Sequence, residues 1–149
     1  MHIALYQPEI PGNTGNIARL CAATNTRLHL IKPLGFSLSD RHLKRAGLDY
    51  WQHVMLSVHE SLDELIGMYP GSTFYCFSTK VDKPFTRVNY REDDFLVFGP
   101  ETRGLPEDII AGDREHAVTI PMDGPVRSLN LSTAAGIALY EALRQLRGF

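Results

Sequence analysis

Cysteine is scarce in this chain. Cys21 and Cys76 are the only two, and neither has a second cysteine or a histidine at the spacing of a metal-ligand pair. That excludes a disulfide scaffold and a zinc-ribbon site, leaves no metal to expect, and makes a reduced, cytoplasmic protein the simplest reading. Long hydrophobic runs are also missing. No apolar stretch approaches the roughly 20 residues of a membrane span, and the opening Ile3-Ala4-Leu5-Tyr6 is too short for a signal sequence, so neither membrane insertion nor export is expected. Charge of one sign is not in excess: 15 basic against 17 acidic residues leaves a net charge of −2, and the molecule as a whole has no electrostatic footprint for nucleic acid. Repeats, linkers and low-complexity segments are absent. The 149 residues are therefore expected to form one domain, 1–149, large enough to bury a core without disulfide or metal.

What is present alternates between strand and helix signals. His2 to Gln7 reads as a strand, and Asn13 to Ala23 as a helix with Ile17, Leu20 and Cys21 on one face. Arg27 to Lys32 reads as an alternating strand. A short helix follows, opened by Ser39 or Asp40 and stopped near Gly47. Val54 to Val58 is strand-like, Ser61 to Tyr69 helical up to Pro70-Gly71, and Thr73 to Ser78 strand-like. A polar, hairpin-like stretch leads to a strand at Phe95 to Phe98, a short helix at Pro106 to Ala111, a strand at Ala117 to Pro121, and a last helix from near Asn130 to Leu146. This order indicates an α/β domain with a mainly parallel sheet flanked by helices. Chain threading is rare, so the pattern alone favours an unknotted doubly wound sheet.

Three segments hold the chemistry. Leu96-Val-Phe-Gly-Pro-Glu-Thr-Arg-Gly-Leu-Pro106 is an apolar run that breaks into a loop with two glycines and two prolines. A strand that ends so abruptly lies in a buried parallel sheet, and ligands of such sheets sit beyond the carboxyl ends of the strands. Glu101 and Arg103 either pair to brace this loop or contact substrate. Pro11-Gly-Asn-Thr-Gly-Asn-Ile-Ala-Arg19 follows the first strand, where phosphates often dock on free N–H groups. It has no lysine, so it is not a P-loop, and no acidic residue follows the second strand to hold a ribose, so it is not a dinucleotide fingerprint. Asn13 reads as a helix N-cap, with Gly12 and Gly15 in a tight turn. Asn16 and Arg19 share a helix face near the mouth of a site. The third segment, Pro121 to Leu129, is rich in breakers, and Asn130 and Ser132 either cap the last helix or touch ligand.

Two further features bear on partners. Arg41, His42, Lys44 and Arg45 form a basic cluster that is either a solvated face or a phosphate grip. The last helix is apolar over more of its cylinder than one stripe requires, with small residues at Ala134, Ala135, Gly136 and Ala138. That pattern favours a homodimer through the C-terminal helix. Tyr140 reads either as a core tyrosine or as one that acts across the dimer. The histidines at 2, 29, 53, 59 and 116 look scattered and suggest no role.

Taken together, Asn13-Thr-Gly-Asn-Ile-Ala-Arg19, Phe98-Gly-Pro-Glu-Thr-Arg-Gly-Leu-Pro106, and Ile120-Pro-Met122 with Arg127-Ser-Leu-Asn-Leu-Ser132 resemble the three ordered motifs of the SPOUT methyltransferases, nearly end to end. The compact length and Lys44-Arg-Ala-Gly-Leu-Asp-Tyr50 are similar to the minimal tRNA wobble-nucleotide 2′-O-methyltransferases of that superfamily. The resemblance implies an α/β SPOUT fold with a C-terminal deep trefoil knot, in place of the unknotted sheet. It implies S-adenosyl-L-methionine as cofactor and S-adenosyl-L-homocysteine as product, with cofactor contacts at Phe77, Gly99, Ile120, Ser128 and Leu129. Gly99 would admit the cofactor and Gly104 would shape the loop. The implied substrate is the tRNA anticodon stem-loop, with Asn16, Arg41, Lys44, Arg45, Arg127 and Tyr140 as contacts, and the implied catalytic group is Arg19. Arginine stays protonated in proteins and is a poor proton acceptor, so Arg19 is expected to orient and to stabilise charge. The alternative is a SPOUT-like RNA-binding protein or chaperone without methyl transfer.

Overall fold

The computed structural model describes residues 1–148, the side chains of 46–48 excepted. Six strands carry the fold: β1 (His2–Tyr6), β2 (Arg27–Ile31), β3 (Met55–His59), β4 (Phe74–Phe77), β5 (Phe95–Phe98) and β6 (Ala117–Val118). They form one sheet in the order β3-β2-β1-β5-β4-β6, and every strand pair in it is parallel. The expected mainly parallel α/β architecture is therefore present. The hairpin-like reading of the stretch before β5 is corrected: it holds a 3-10 turn at Phe85–Arg87 and a parallel bridge from Pro84 to Thr119.

Helices α1 (Pro11–Thr24), α2 (Arg41–Gly47), α3 (Leu62–Met68), α4 (Glu107–Gly112) and α5 (Leu131–Arg147) connect and cover the strands. The sheet is apolar on both faces and each face has its own core. Ile3, Leu5, Leu96 and Phe98 meet Ile17 and Cys21 of α1 and Leu139 and Leu143 of α5 on one side. Ala4, Phe95 and Val97 meet Leu65 of α3 and Ile110 of α4 on the other. Strands buried on both faces read as continuous apolar runs, which is why β5 was visible in the sequence. Strand β2 is not alternating as expected: Leu28 to Ile31 are all buried, His29 included.

The histidines are not all scattered. His2 of β1, His29 of β2 and His59 of β3 lie in a row across the sheet. His2 Nδ1 and His29 Nε2 are 2.9 Å apart, and His29 Nδ1 and His59 Nε2 are 3.0 Å apart. All three are buried, and the His2 ring stacks on Phe95 at 4.3 Å between centroids. Burial pushes His2 down to about 4 and His29 down to about 3, with the nearby positive charges adding to the effect. His2 and His29 are therefore neutral at physiological pH, and the row is buried within the fold.

The ends of the elements follow ordinary capping chemistry. Asp40 accepts a hydrogen bond from the His42 amide at 2.7 Å at the start of α2, and Ser61 Oγ accepts from the Glu64 amide at the start of α3. Asn130 caps α5 by accepting from Ser132 and Thr133 amides at 2.9 and 3.3 Å. At α1 the expectation fails. The N-cap is Ile10, Pro11 starts the helix, and Asn13, Gly12 and Gly15 lie within it.

Candidate active site

The loops after β4, β5 and β6 leave the sheet at its carboxyl edge and enclose a cleft of about 730 Å3. Phe77 ends β4 on one wall. Gly99 to Leu105 form the second wall, and Thr119 and Ile120 with Arg127, Ser128 and Leu129 form the third. All five residues expected to contact the cofactor are thereby gathered in one place, with Arg127 beside them. The walls combine apolar surface from Phe77, Phe98, Ile120 and Leu129 with the polar rim of Ser78, Thr79 and Lys80. That combination suits a flat heteroaromatic group with polar edges.

The loop from Gly99 to Leu105 is held by its own backbone. A side chain at Gly99 would run into the Leu105 nitrogen and the Gly104 carbonyl carbon, and would lie 2.8 Å from the Gly104 oxygen. Gly99 is thus needed for the loop to fold back on itself, rather than only to leave room for a ligand. Gly104 sits at φ +68°, the left-handed region that favours glycine.

A polar chain ties the three sequence motifs together. Glu101 Oε2 accepts from the Glu9 amide at 2.7 Å, and Oε1 accepts from the Ile10 amide at 3.0 Å and from Asn13 Nδ2 at 3.3 Å. Asn13 Oδ1 in turn accepts from Asn130 Nδ2 at 3.0 Å. The start of α1, expected as a phosphate dock, is therefore occupied by a carboxylate, which suits the positive end of a helix. Glu101 does not pair with Arg103. Arg103 donates to Gln7 Oε1 at 3.1 Å, while Thr102 Oγ1 donates to the Glu9 carboxylate at 2.9 Å. These links span about 90 to 120 residues and have no sequence period, so the one signal for them in the chain is an acidic residue in a glycine-proline loop.

Other expected residues lie outside the cleft lining. Arg19 is exposed on α1, its guanidinium 4.7 Å from the centroid of the Tyr50 ring, and Asn16 is exposed on the same helix. Arg41, Lys44 and Arg45 are exposed on α2. Of the segment Lys44 to Tyr50, the side chains of Ala46, Gly47 and Leu48 lie outside the described residues. Tyr140 is 51% exposed on α5, which corrects the core-tyrosine reading. Both cysteines are buried thiols, pushed up to about 12 by burial, so neither is a nucleophile near neutral pH. Among the described residues no group of histidine, cysteine or acidic side chains is placed to hold a metal ion, and no helix is long and apolar enough to cross a membrane.

Comparison with known proteins places this geometry. The model of the SpoU rRNA methylase family matches residues 1–140. A tRNA (cytidine(34)-2'-O)-methyltransferase of Methylovorus glucosotrophus is 53% identical over 146 residues, covering 96% of this chain and 94% of its own. A solved structure described as giving structural insights into the 2-OH methylation of C/U34 on tRNA superposes with a TM-score of 0.94 at 53% identity, covering 99% of this chain and 97% of the other. The SpoU methyltransferase AviRb from Streptomyces viridochromogenes, solved in complex with the cofactor AdoMet, shares the fold at 24% identity and a TM-score of 0.87, with 100% of this chain and 61% of that one covered. With its parallel sheet, its three linked motifs and a match along almost its whole length, the chain belongs to the SpoU rRNA methylase family.

Proposed function

We propose that this protein transfers a methyl group from S-adenosyl-L-methionine to the ribose 2′-hydroxyl of the wobble nucleotide, cytidine or uridine 34, in the tRNA anticodon stem-loop, releasing S-adenosyl-L-homocysteine. The observation that carries the reading is the cleft walled by the second and third motif segments and latched to the first through Glu101, Asn13 and Asn130. Relatives similar over the full chain and named for this reaction support it. The whole chain, 1–149, works as one SPOUT domain in the cytoplasm, its C-terminal portion threaded as the trefoil knot that the fold family implies.

The residues present fit the cofactor. Phe77, Ile120 and Leu129 line the cleft and would give apolar surface to an adenine face, while backbone groups at Gly99, Ser128 and Leu129 would read its polar edge. When bound, the cofactor supplies a methyl on a sulfonium, a good leaving group. Transfer would form the ribose O–CH3 bond as the S–CH3 bond breaks, so the work of the chain's own residues would be to align the two. Arg19 orients the ribose and its phosphate and stabilises developing charge, while the hydroxyl proton passes to a phosphate oxygen of the RNA. Arg127 at the cleft rim, Asn16 on α1 and the cations of α2 hold the RNA backbone.

The protein acts as a homodimer through α5. Ile137 and Tyr140, on the side of α5 away from the core, are 40% and 51% exposed. The test of the activity is methyl transfer from labelled cofactor to total tRNA, followed by mapping of the methylated nucleotide. Label in the ribose at position 34 is expected, and Arg19→Ala should lower turnover on bound tRNA by at least about a hundredfold. Calorimetry that finds no cofactor binding, with or without tRNA, would instead support a binding protein without turnover.

A further inference from the structure

A second cavity lies at the same edge of the sheet. This groove of about 710 Å3 is lined by Leu34, Phe36 and Leu38 from the segment after β2, by Val58 of β3, and by Lys32 and Glu60. Its position relative to the methyl-transfer cleft is fixed by backbone contacts. The Gly35 amide donates to the Pro8 carbonyl at 2.9 Å, and a side chain at Gly35 would lie 2.8 Å from Glu9 Cα. Glu9 is in turn bonded through its amide to Glu101 in the cleft wall. The loop after β1 thus touches the borders of both cavities. From β5 to the gap between β2 and β3 is two and a half strand spacings, roughly 12 Å.

The chemistry of the groove is specific. Leu34, Phe36, Leu38 and Val58 offer apolar and aromatic surface, and Phe36 is half-buried where it lines the space. Lys32 Nζ pairs with Glu60 Oε1 at 2.8 Å at an exposed edge, so a cationic donor and an anionic acceptor stand beside the apolar surface. Helix α2 begins three positions after Leu38 and exposes Arg41, His42, Lys44 and Arg45. A flat apolar slot with a polar edge and adjacent cations matches a single-stranded nucleotide: base on the aromatic, phosphates on the cations.

We propose that this groove holds the base of a nucleotide that flanks the reacting one in the anticodon loop, with the α2 cations on the neighbouring phosphates. The proposal rests on the tRNA methyl-transfer reading and adds a substrate subsite to it. The strand of RNA leaves the cleft, crosses the loop after β1 and turns a base down into the groove. Binding there fixes the position of the reacting ribose from a site that touches neither the cofactor nor Arg19.

The experiment combines protein and RNA changes. Phe36→Ala is expected to raise the KM for an anticodon stem-loop roughly five- to a hundredfold, with kcat at saturating RNA and cofactor affinity unchanged. Stem-loops lacking the base of one flanking nucleotide are then compared in turn. At one of the two positions the wild-type protein should lose a similar factor, and Phe36→Ala should lose nothing further, the signature of one shared contact. Losses that multiply independently at both positions would overturn the proposal while leaving methyl transfer intact. Sedimentation of Phe36→Ala should match the wild type; a smaller species would assign the groove to contact between copies and overturn it too. Absence of methyl transfer by the wild-type protein to any stem-loop would instead bring down the functional reading, and this subsite with it.

Discussion

Glu101 shows how much one side chain carries at this site. Its carboxylate satisfies two backbone amides before α1 and one side-chain amide within it. Glu101→Ala leaves those donors unpaired in a half-buried place, which costs about 1–3 kcal/mol. For a chain of this size that corresponds to a fall in Tm of roughly 2–4 °C per kcal/mol. Because the same side chain latches the cleft wall, cofactor affinity measured by calorimetry should fall with it. Glu101→Gln keeps an acceptor and should recover part of both losses. Gly99→Ala should act differently: its methyl group meets the loop backbone itself, so the loop must move and cofactor binding should be lost before stability is. Equal cofactor affinity in Gly99→Ala and wild type would show that the loop accommodates the methyl without moving the wall.

Among the elements, legibility in the sequence depended on what kind of contact defines each one. Strand β5 is legible to the residue, because burial on both faces leaves an uninterrupted apolar run, and α5 to within one residue at each end, through its apolar spacing and the Asn130 cap. The start of α1 is the opposite case: Asn13 reads as a cap, but Glu101, from a distant loop, occupies the helix start. The histidine row was invisible for a related reason: parallel register aligns residues 27 and 30 positions apart, which no local period reveals. That row makes a pH prediction. His2 and His29 are held near 4 and 3 in the folded chain, against about 6.5 unfolded, so below pH 6.5 the unfolded chain binds more protons. Stability is full above that value and falls as the pH drops towards the folded values. Urea denaturation at pH 7.5 and pH 5 should differ by a few kcal/mol from these groups, at about 1.4 kcal/mol per pH unit for each. An unchanged midpoint would mean that His2 and His29 are protonated at pH 5 without cost to the fold.

For the whole molecule the open relation is between Arg19 and the cleft. Arg19 is exposed on α1 and is not among the residues lining its own chain's cleft, yet it is the group assigned to orient the substrate. Helix α1 packs beside α5, on the same face of the sheet; a pairing of two copies through α5, as proposed above, would bring α1 of each near the other. An Arg19 supplied across the pair reconciles an exposed arginine with a complete site. Sedimentation should show a dimer, and Ile137→Glu with Tyr140→Glu should convert it to a folded monomer that retains its circular dichroism but has lost turnover. Mixing then separates the two arrangements. An Arg19→Ala protein and a Gly99→Ala protein, each inactive alone, are exchanged at equal concentration so that about half of the pairs are mixed. With Arg19 acting across the pair, each mixed pair holds one intact site, and activity should return to roughly a quarter of the wild-type value. With Arg19 acting on its own chain, every mixed pair has one site without arginine and one with a displaced loop wall, and no activity returns.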